Sequence, residues 1–283
     1  MNSVTQRVQL EKLGLNWEVT KEPIQTVSGI QIPEKIAIMR SDTEKVLGIH
    51  GKNYDPYQNH ELMELLHQIG GQTGLQVHSG GLFKEGAKIW FQLKSDNLSL
   101  NGDVIEGYLS GFNSFDGSSS LGLGNSTKTI SCENSWWAAY REVKTKLRHS
   151  ASMRPKIDEI LANIGVVLEQ EQKLFNDIRM LSETKMTGTH KELLTKLFFD
   201  ITAEEYYNMD KELSTRKINQ INEFNLDLFV ETKDKGDNLW GLFSGLTRYT
   251  THDMKKTDNS EGKMFGQTGV RERRVFKELV EMV

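Results

Sequence analysis

Apolar and polar residues change their period along this chain, and the change divides it into two kinds of sequence. From Trp17 to His50 apolar positions alternate with polar or small ones, as in LNWEVTKEPIQTV and PEKIAIMRSDTEKVLGIHG. Alternation at period two predicts strands with one face buried. SDTEK, between two such runs, predicts a hairpin loop. Residues 1–14 read as a short amphipathic arm, with Val4, Val8 and Leu10 on one side. In HELMELLHQIG, Leu62, Leu65, Leu66 and Ile69 share one helical face; Asn59 reads as its N-cap and Gly70–Gly71 as its stop. LQVHS and AKIWFQLK flank GGLFKEG and predict a second hairpin. Residues 104–113 read as a strand, SSSLGLG returns antiparallel, TKTIS extends the sheet, and a helix is expected near 134–148.

Beyond Ala151 the period becomes helical. Ile157, Ile160, Leu161, Ile164, Val167, Leu168, Leu174, Phe175, Ile178 and Leu181 recur three and four apart, with Pro155 suited to the first turn. KELLTKLFFDI, STRKINQINEFNLDLFVE, NLWGLFSGLTRYTTHDM and GVRERRVFKELVEM predict further helices, the third packed closely through Gly241 and Gly245; KKTDNSEGK reads as a loop. The four prolines stand at 23, 33, 56 and 155, so nothing after Pro155 breaks a long helix on that account. The expected fold is α+β: a mainly antiparallel sheet with a β-β-β-α-like core in residues 1–150, then a helical domain or subdomain in 151–283.

Composition narrows the picture by exclusion. Of 283 residues, 37% are hydrophobic and 26% charged, which fits a polar-leaning globular chain of one large or two modest domains. No run approaches the roughly 18 apolar residues of a membrane span, so no membrane partner is expected. The first thirty residues lack an apolar core and a small-residue cleavage site, and so predict no signal peptide. The lone Cys132 excludes an intrachain disulfide and a cysteine-built metal site, and the cytoplasm is the expected compartment. The net charge of −4 excludes a wholly basic nucleic-acid binder but permits a local basic groove.

Candidate chemistry is sparse. The seven histidines are scattered; His60 and His67 share a helical face but no HExxH-type pattern accompanies them. Cys132 has no flanking nucleophile signature, and there is no G-x-S-x-G elbow. Asp116 with Glu106 or Glu133 reads as a carboxylate pair, or Asp116–Gly117 as an ordinary hairpin turn. GGLFKEGAK lacks the GxxxxGK[ST] spacing, and LGLGN lacks the βαβ context of a dinucleotide site. No catalytic residue, cofactor or metal is assigned. The densest cations are Arg141, Lys144, Lys146, Arg148, Arg154 and Lys156, opposed in that span only by Glu142. On a helix Arg141, Lys144 and Arg148 form one stripe, which either tracks a phosphate backbone or is a solvated face favoured by the helix dipole. Phe112, Phe115, Trp136, Trp137 and Tyr140 lie nearby in sequence, to stack bases or to pack.

Several segments resemble, in order, a phage- and plasmid-borne family, the phage/plasmid-like proteins, a domain of unknown function. They are GLNWEVTKEPI, RSDTEKVLGIHGKNYDPYQNHELMELL, GGLFKEGAKIWFQLK, YLSGFNSFDGSSSL, TISCENSWWAA and LWGLFSGLTRYTTHD. The chain departs from the family pattern at Phe115, where a His commonly precedes Asp-Gly. It departs again at Asn134, Ser135 and Trp136, and at Ser244 to Thr247. The first departure argues against a required His–Asp catalytic pair. More distantly, hairpin, strands and basic helix in that order are similar to the core of phage single-strand annealing proteins of the Red-beta, RecT and Rad type. That similarity implies an ATP-independent annealing protein of the bacterial host cytoplasm, with single-stranded DNA as partner and a homo-oligomeric state. The DNA-contacting set it implies is Lys84, Lys88, Phe112, Asn113, Phe115, Lys128, Asn134, Arg141, Lys144 and Arg148, with the helices of 155–183 and 190–201 as the assembly surface. A protein–protein interaction factor, such as an inhibitor of a host defence enzyme, is the second expectation. A metal-dependent nuclease-like enzyme with Asp116 and Glu106 as ligands is the third.

Overall fold

A computed structural model describes residues 3–100, 103–129, 135–136, 146–150, 152–162, 164–254 and 259–283. The architecture is α+β, as the change of period predicts. Helix α1 (Ser3–Lys12) leads into a three-stranded antiparallel sheet of β1 (Val19–Gln25), β2 (Gln31–Arg40) and β3 (Val46–Gly51). Helix α2 (Asn59–Thr73) then precedes a six-stranded sheet. Its order is β4 (Gln76–Phe83), β5 (Lys88–Leu100), β6 (Asp103–Ser114), β7 (Leu121–Thr129) and β8 (Ser135–Trp136), with β9 (Lys146–Leu147) also paired to β7. The helices that follow are α3 (Ile157–Ala162), α4 (Ile164–Glu183), α5 (Gly188–Phe199), α6 (Ala203–Tyr207), α7 (Met209–Glu212) and α8 (Thr215–Lys235). After them come α9 (Leu239–Arg248), a π-helical turn (Tyr249–Asp253), α10 (Asn259–Met264) and α11 (Gln267–Glu281).

Several local expectations give way to tertiary demands. Helix α2 is capped by Gln58, whose backbone N–H donates to the Glu61 carboxylate at 2.8 Å; Asn59 is already helical. The Asn59 amide instead donates to the carbonyls of Leu15 and Trp17 at 3.0 and 3.1 Å, tying the helix to the entry of β1. Gly70–Gly71 does not stop α2, which runs to Thr73 and ends on Gly74 at φ 77°. The helix expected near 134–148 is absent at both of its described ends, where Ser135–Trp136 and Lys146–Leu147 pair with β7. The loop read from KKTDNSEGK contains α10. Gly241 and Gly245 do give close packing: a Cβ on Gly245 would stand 2.6 Å from Leu228 Cα in α8.

Two compact units divide the chain. The first comprises Met1–Asp96, Tyr108–Asn125 and Ala139–Leu168; the second comprises Asn97–Gly107, Ser126–Ala138 and Glu169–Val283. The first unit's core joins Trp17 and Ile38 to Leu62, Leu66, Phe91, Leu109 and Phe115. The second gathers Phe175, Ile178, Phe198, Phe224, Phe243 and Phe276. Within the first unit every residue from Gln25 to Lys35 is exposed, so the β1–β2 hairpin has an uncovered end. Its turn is nonetheless ordered: Thr26 N–H donates to Ile30 O at 2.8 Å, and Gly29 N–H to Thr26 O at 2.9 Å.

Candidate functional site

Strand β6 ends at Ser114, and its last residues and the one after them are held by rings from two distant stretches of chain, one carrying His50 and Tyr54 and the other His149. On β3, period-two alternation puts Gly48 and His50 on one face. Gly48 carries no side chain there, and a Cβ on it would stand 2.5 Å from the Phe115 carbonyl oxygen. His50 Nε2 consequently reaches Phe115 O at 2.8 Å. The Tyr54 hydroxyl donates to Ser114 O at 3.0 Å. His149, just after β9, places Nε2 2.5 Å from Asn113 Oδ1. The rings form a stack: His50 and Tyr54 have centroids 3.9 Å apart, Tyr54 and His149 5.1 Å.

The hydrogen bonds fix where the protons sit. Asn113 is wholly buried, its amide nitrogen donating to Tyr57 O at 2.6 Å while its oxygen accepts from Ser114 N–H at 2.9 Å. The oxygen therefore faces His149, whose Nε2 must carry the hydrogen. His50 Nε2 also faces a carbonyl oxygen and is likewise the donor. Burial, reinforced by the neighbouring His50 and opposed by Asp55, lowers the His149 pKa to about 4. His149 is thus a neutral ring at pH 7 with its Nδ1 lone pair exposed to no hydrogen bond among the described residues. Burial, with the charges of Asp116 and Asp55, pushes the Tyr54 phenol up, so it too is a neutral donor.

The turn after β6 closes on these rings. Ser114 Oγ donates to Ser119 O at 2.7 Å and accepts from Ser119 N–H at 3.0 Å. Asp116 Oδ1 accepts from the backbone and hydroxyl of Ser118, at 2.9 and 2.5 Å. This is an Asx turn, the conformation its Asp-Gly dipeptide favours. Gly117 has φ 73°, and a Cβ on it would meet His50 Cε1 at 2.8 Å. A second turn abuts the first. Lys84, Glu85 and Gly86 have φ of 49°, 57° and 109°, a left-handed run that costs its two non-glycine residues about 1–2 kcal/mol each. Arg40 holds it by donating to Glu85 O at 2.8 Å while its guanidinium lies 4.4 Å over Trp17. Phe115 N–H donates to Ala87 O at 2.7 Å and joins the two turns. Beside them Arg154 bridges Asp55 and Glu61, the Glu61 contact holding its guanidinium firmly charged. It lines a cavity of about 210 Å³ with Tyr57, Glu64, Ile157 and Asp158.

Of the residues that the sequence groups for DNA contact, the described ones differ in exposure. Phe112 and Phe115 are 4% and 0% exposed, so neither ring offers a face to a base; Phe115 packs against Trp17, centroids 5.8 Å apart. Asn113 is spent on the fold. Lys88 is buried at 6% exposure and is not a surface cation. Lys84 is exposed on the strained turn and Lys128 is partly buried on β7. Arg148 is exposed, in an irregular stretch instead of a helix, and makes no ion pair among the described residues. Asn134, Arg141 and Lys144 lie outside the described residues. His50, Tyr54 and His149, the rings at the centre of the arrangement, carry no signal in their spacing; only the fold assembles them.

The helical unit organises its titratable groups otherwise. Lys235, on α8, sits 2.9 Å from Asp103 and 3.5 Å from Glu231. Arg248 reaches Asp227 at 3.1 Å and Glu231 at 3.4 Å. Burial raises the Asp227 pKa to about 7, helped by the charge and hydrogen bond of Asp253 and opposed by Arg248. Among the described residues no three His, Cys, Asp or Glu side chains are arranged to hold a metal. No described helix is long and apolar enough to cross a membrane.

Comparison with known sequences gives one match. The family described as a Domain of unknown function (DUF932) matches residues 46–276, which include β3, the three rings, both turns and most of the helical unit. No curated protein and no solved structure matches.

Proposed function

The chain belongs to the DUF932 family, and from that premise we propose that it binds single-stranded DNA as an ATP-independent annealing or recombination protein of a phage in its bacterial host. The observation that carries the reading is Arg148, exposed and making no ion pair among the described residues, immediately before a stack of three half-buried rings. Exposed cations beside π surfaces are the two ingredients of sequence-tolerant single-strand binding. Lys156 and Lys84, both exposed, extend the positive rim. The run from Arg141 to Lys156 supplies its remaining charge in sequence. In this reading bases stack on the outer rings of the stack, His50 and His149, the backbone follows Arg148, and copies of the chain assemble on the strand.

A labelled single-stranded oligonucleotide, titrated by fluorescence anisotropy across a salt series, tests it. Binding should weaken steeply with salt, because each neutralised phosphate releases a counterion. Arg148→Ala combined with Arg141→Ala and Lys144→Ala should abolish it. No binding at low salt, or binding untouched by the triple substitution, overturns the reading.

A second reading, a protein-interaction factor, is favoured by one specific observation. Val27, Ile30 and Ile32 project from the uncovered hairpin end at 111%, 66% and 37% exposure, and residues 24–33 carry no charge. An uncharged apolar tip suits a protein surface better than a phosphate backbone. Loss of partner capture but not of oligonucleotide binding in Val27→Ser/Ile30→Ser would assign the tip to that role.

A further inference from the structure

The π-helical turn after α9 builds an oxygen cage around a buried ammonium. Lys263, wholly buried on α10, directs Nζ to Thr251 Oγ1 at 2.7 Å, Thr250 Oγ1 at 2.9 Å, Glu272 Oε1 at 3.1 Å and Thr247 O at 3.3 Å. Thr250 donates its hydroxyl proton to Glu272, and Thr251 donates its own to Thr247 O. Both hydroxyl oxygens therefore turn lone pairs toward Nζ. Glu272 is itself wholly buried, and its Oε2 is buried with no hydrogen-bond partner. An ammonium has three donors. Among the described residues four oxygens surround it, so the cage has more acceptors than lysine can serve. A spherical ion has no such limit.

We propose that this cage is a binding site for a monovalent cation of ammonium or potassium size, which the chain fills with its own Lys263. Charge and size select the class. The cage is spaced for an ammonium, with Nζ–oxygen distances of 2.7–3.3 Å. One carboxylate, Glu272, neutralises one positive charge; a divalent ion would leave a net charge buried. α10 is thereby latched to the π-helical turn and α11 through a ligand-like contact.

The test uses the full chain carrying Lys263→Ala, with its thermal midpoint measured in potassium, ammonium or choline chloride at equal ionic strength. Potassium and ammonium should raise the variant's midpoint by several degrees over choline, which is too large for the cage. The wild-type midpoint should not distinguish the salts. Adding Glu272→Gln to Lys263→Ala should abolish the response. A Lys263→Ala chain equally stable, or equally unfolded, in potassium and choline overturns the proposal, as does a response that survives Glu272→Gln.

Discussion

Two buried polar clusters, one in each unit, are held by opposite means. At the end of β6 the buried groups are neutral: Asn113 is satisfied by backbone groups and His149, and His149 is held uncharged. Beside α9 and the π-helical turn the buried groups pair with opposite charges, Lys263 with Glu272 and Lys235 with Glu231 and Asp103. Neutral networks are weakened by a proton they do not expect. Ionic ones are weakened by losing a partner. The difference teaches which perturbation each unit reports.

The largest effect should separate them directly. Glu272→Ala leaves the Lys263 ammonium buried alone, which costs about 3–5 kcal/mol. Asn113→Ala leaves neutral groups unsatisfied, about 1–3 kcal/mol. Urea unfolding of both variants checks the ranking; an Asn113 variant as damaged as the Glu272 variant would break the comparison.

Acid should act on the two units with opposite sign. His149 has a folded pKa of about 4, below its ordinary 6.5, so the unfolded chain takes that proton first. Its contribution is complete above pH 6.5, falls as pH drops and is lost below 4, with a ceiling of roughly 3 kcal/mol. Asp227 has a folded pKa of about 7 against an ordinary 3.8, so its contribution is present at low pH and is lost as pH rises through 7. Thermal midpoints between pH 4 and 8 should fall less steeply toward acid in His149→Gln and more steeply in Asp227→Asn. Parallel profiles in both variants would sink the assignment.

Smaller effects sharpen the geometry. Gly245→Ala drives a methyl into the α8 backbone and should cost about 1–3 kcal/mol. Gly117→Ala, at φ 73°, should cost about 1–2 kcal/mol. Smallest is the Arg154–Glu61 pair, whose arginine side chain is 47% exposed; a double-mutant cycle should give less than about 1 kcal/mol.

The elements were legible where one period dominated. Period two marked β2 and β3, the Asp116–Gly117 dipeptide marked its turn, and the apolar stripe from Ile157 to Leu181 marked α3 and α4. Local rules failed where a distant group had first claim on a residue. Asn59 is a good cap by type, but the carbonyls of Leu15 and Trp17 hold its amide. A helix is expected near 134–148, with a stripe of cations upon it, but pairing with β7 decides its described ends. The stack of His50, Tyr54 and His149 could not be read at all, because His149 lies far along the chain from the other two rings and meets them only where the fold closes on the end of β6. Phe112 and Phe115 show the converse: aromatic residues beside a basic run look like stacking surface in sequence, but the end of β6 is buried on both faces and the turn after it packs Phe115 on Trp17.

The interleaving of the units sets an order in time. Residues 97–107 emerge from the ribosome before the first unit's later segments, yet they belong with a segment that begins at Glu169, inside α4. The first unit must in turn wait for Leu168. A nascent chain of 150 residues therefore has neither core complete, and contacts between segments so far apart in sequence close slowly. The first unit can therefore close once Leu168 has been made, whereas residues 97–107 wait longer for the helical segment they belong with.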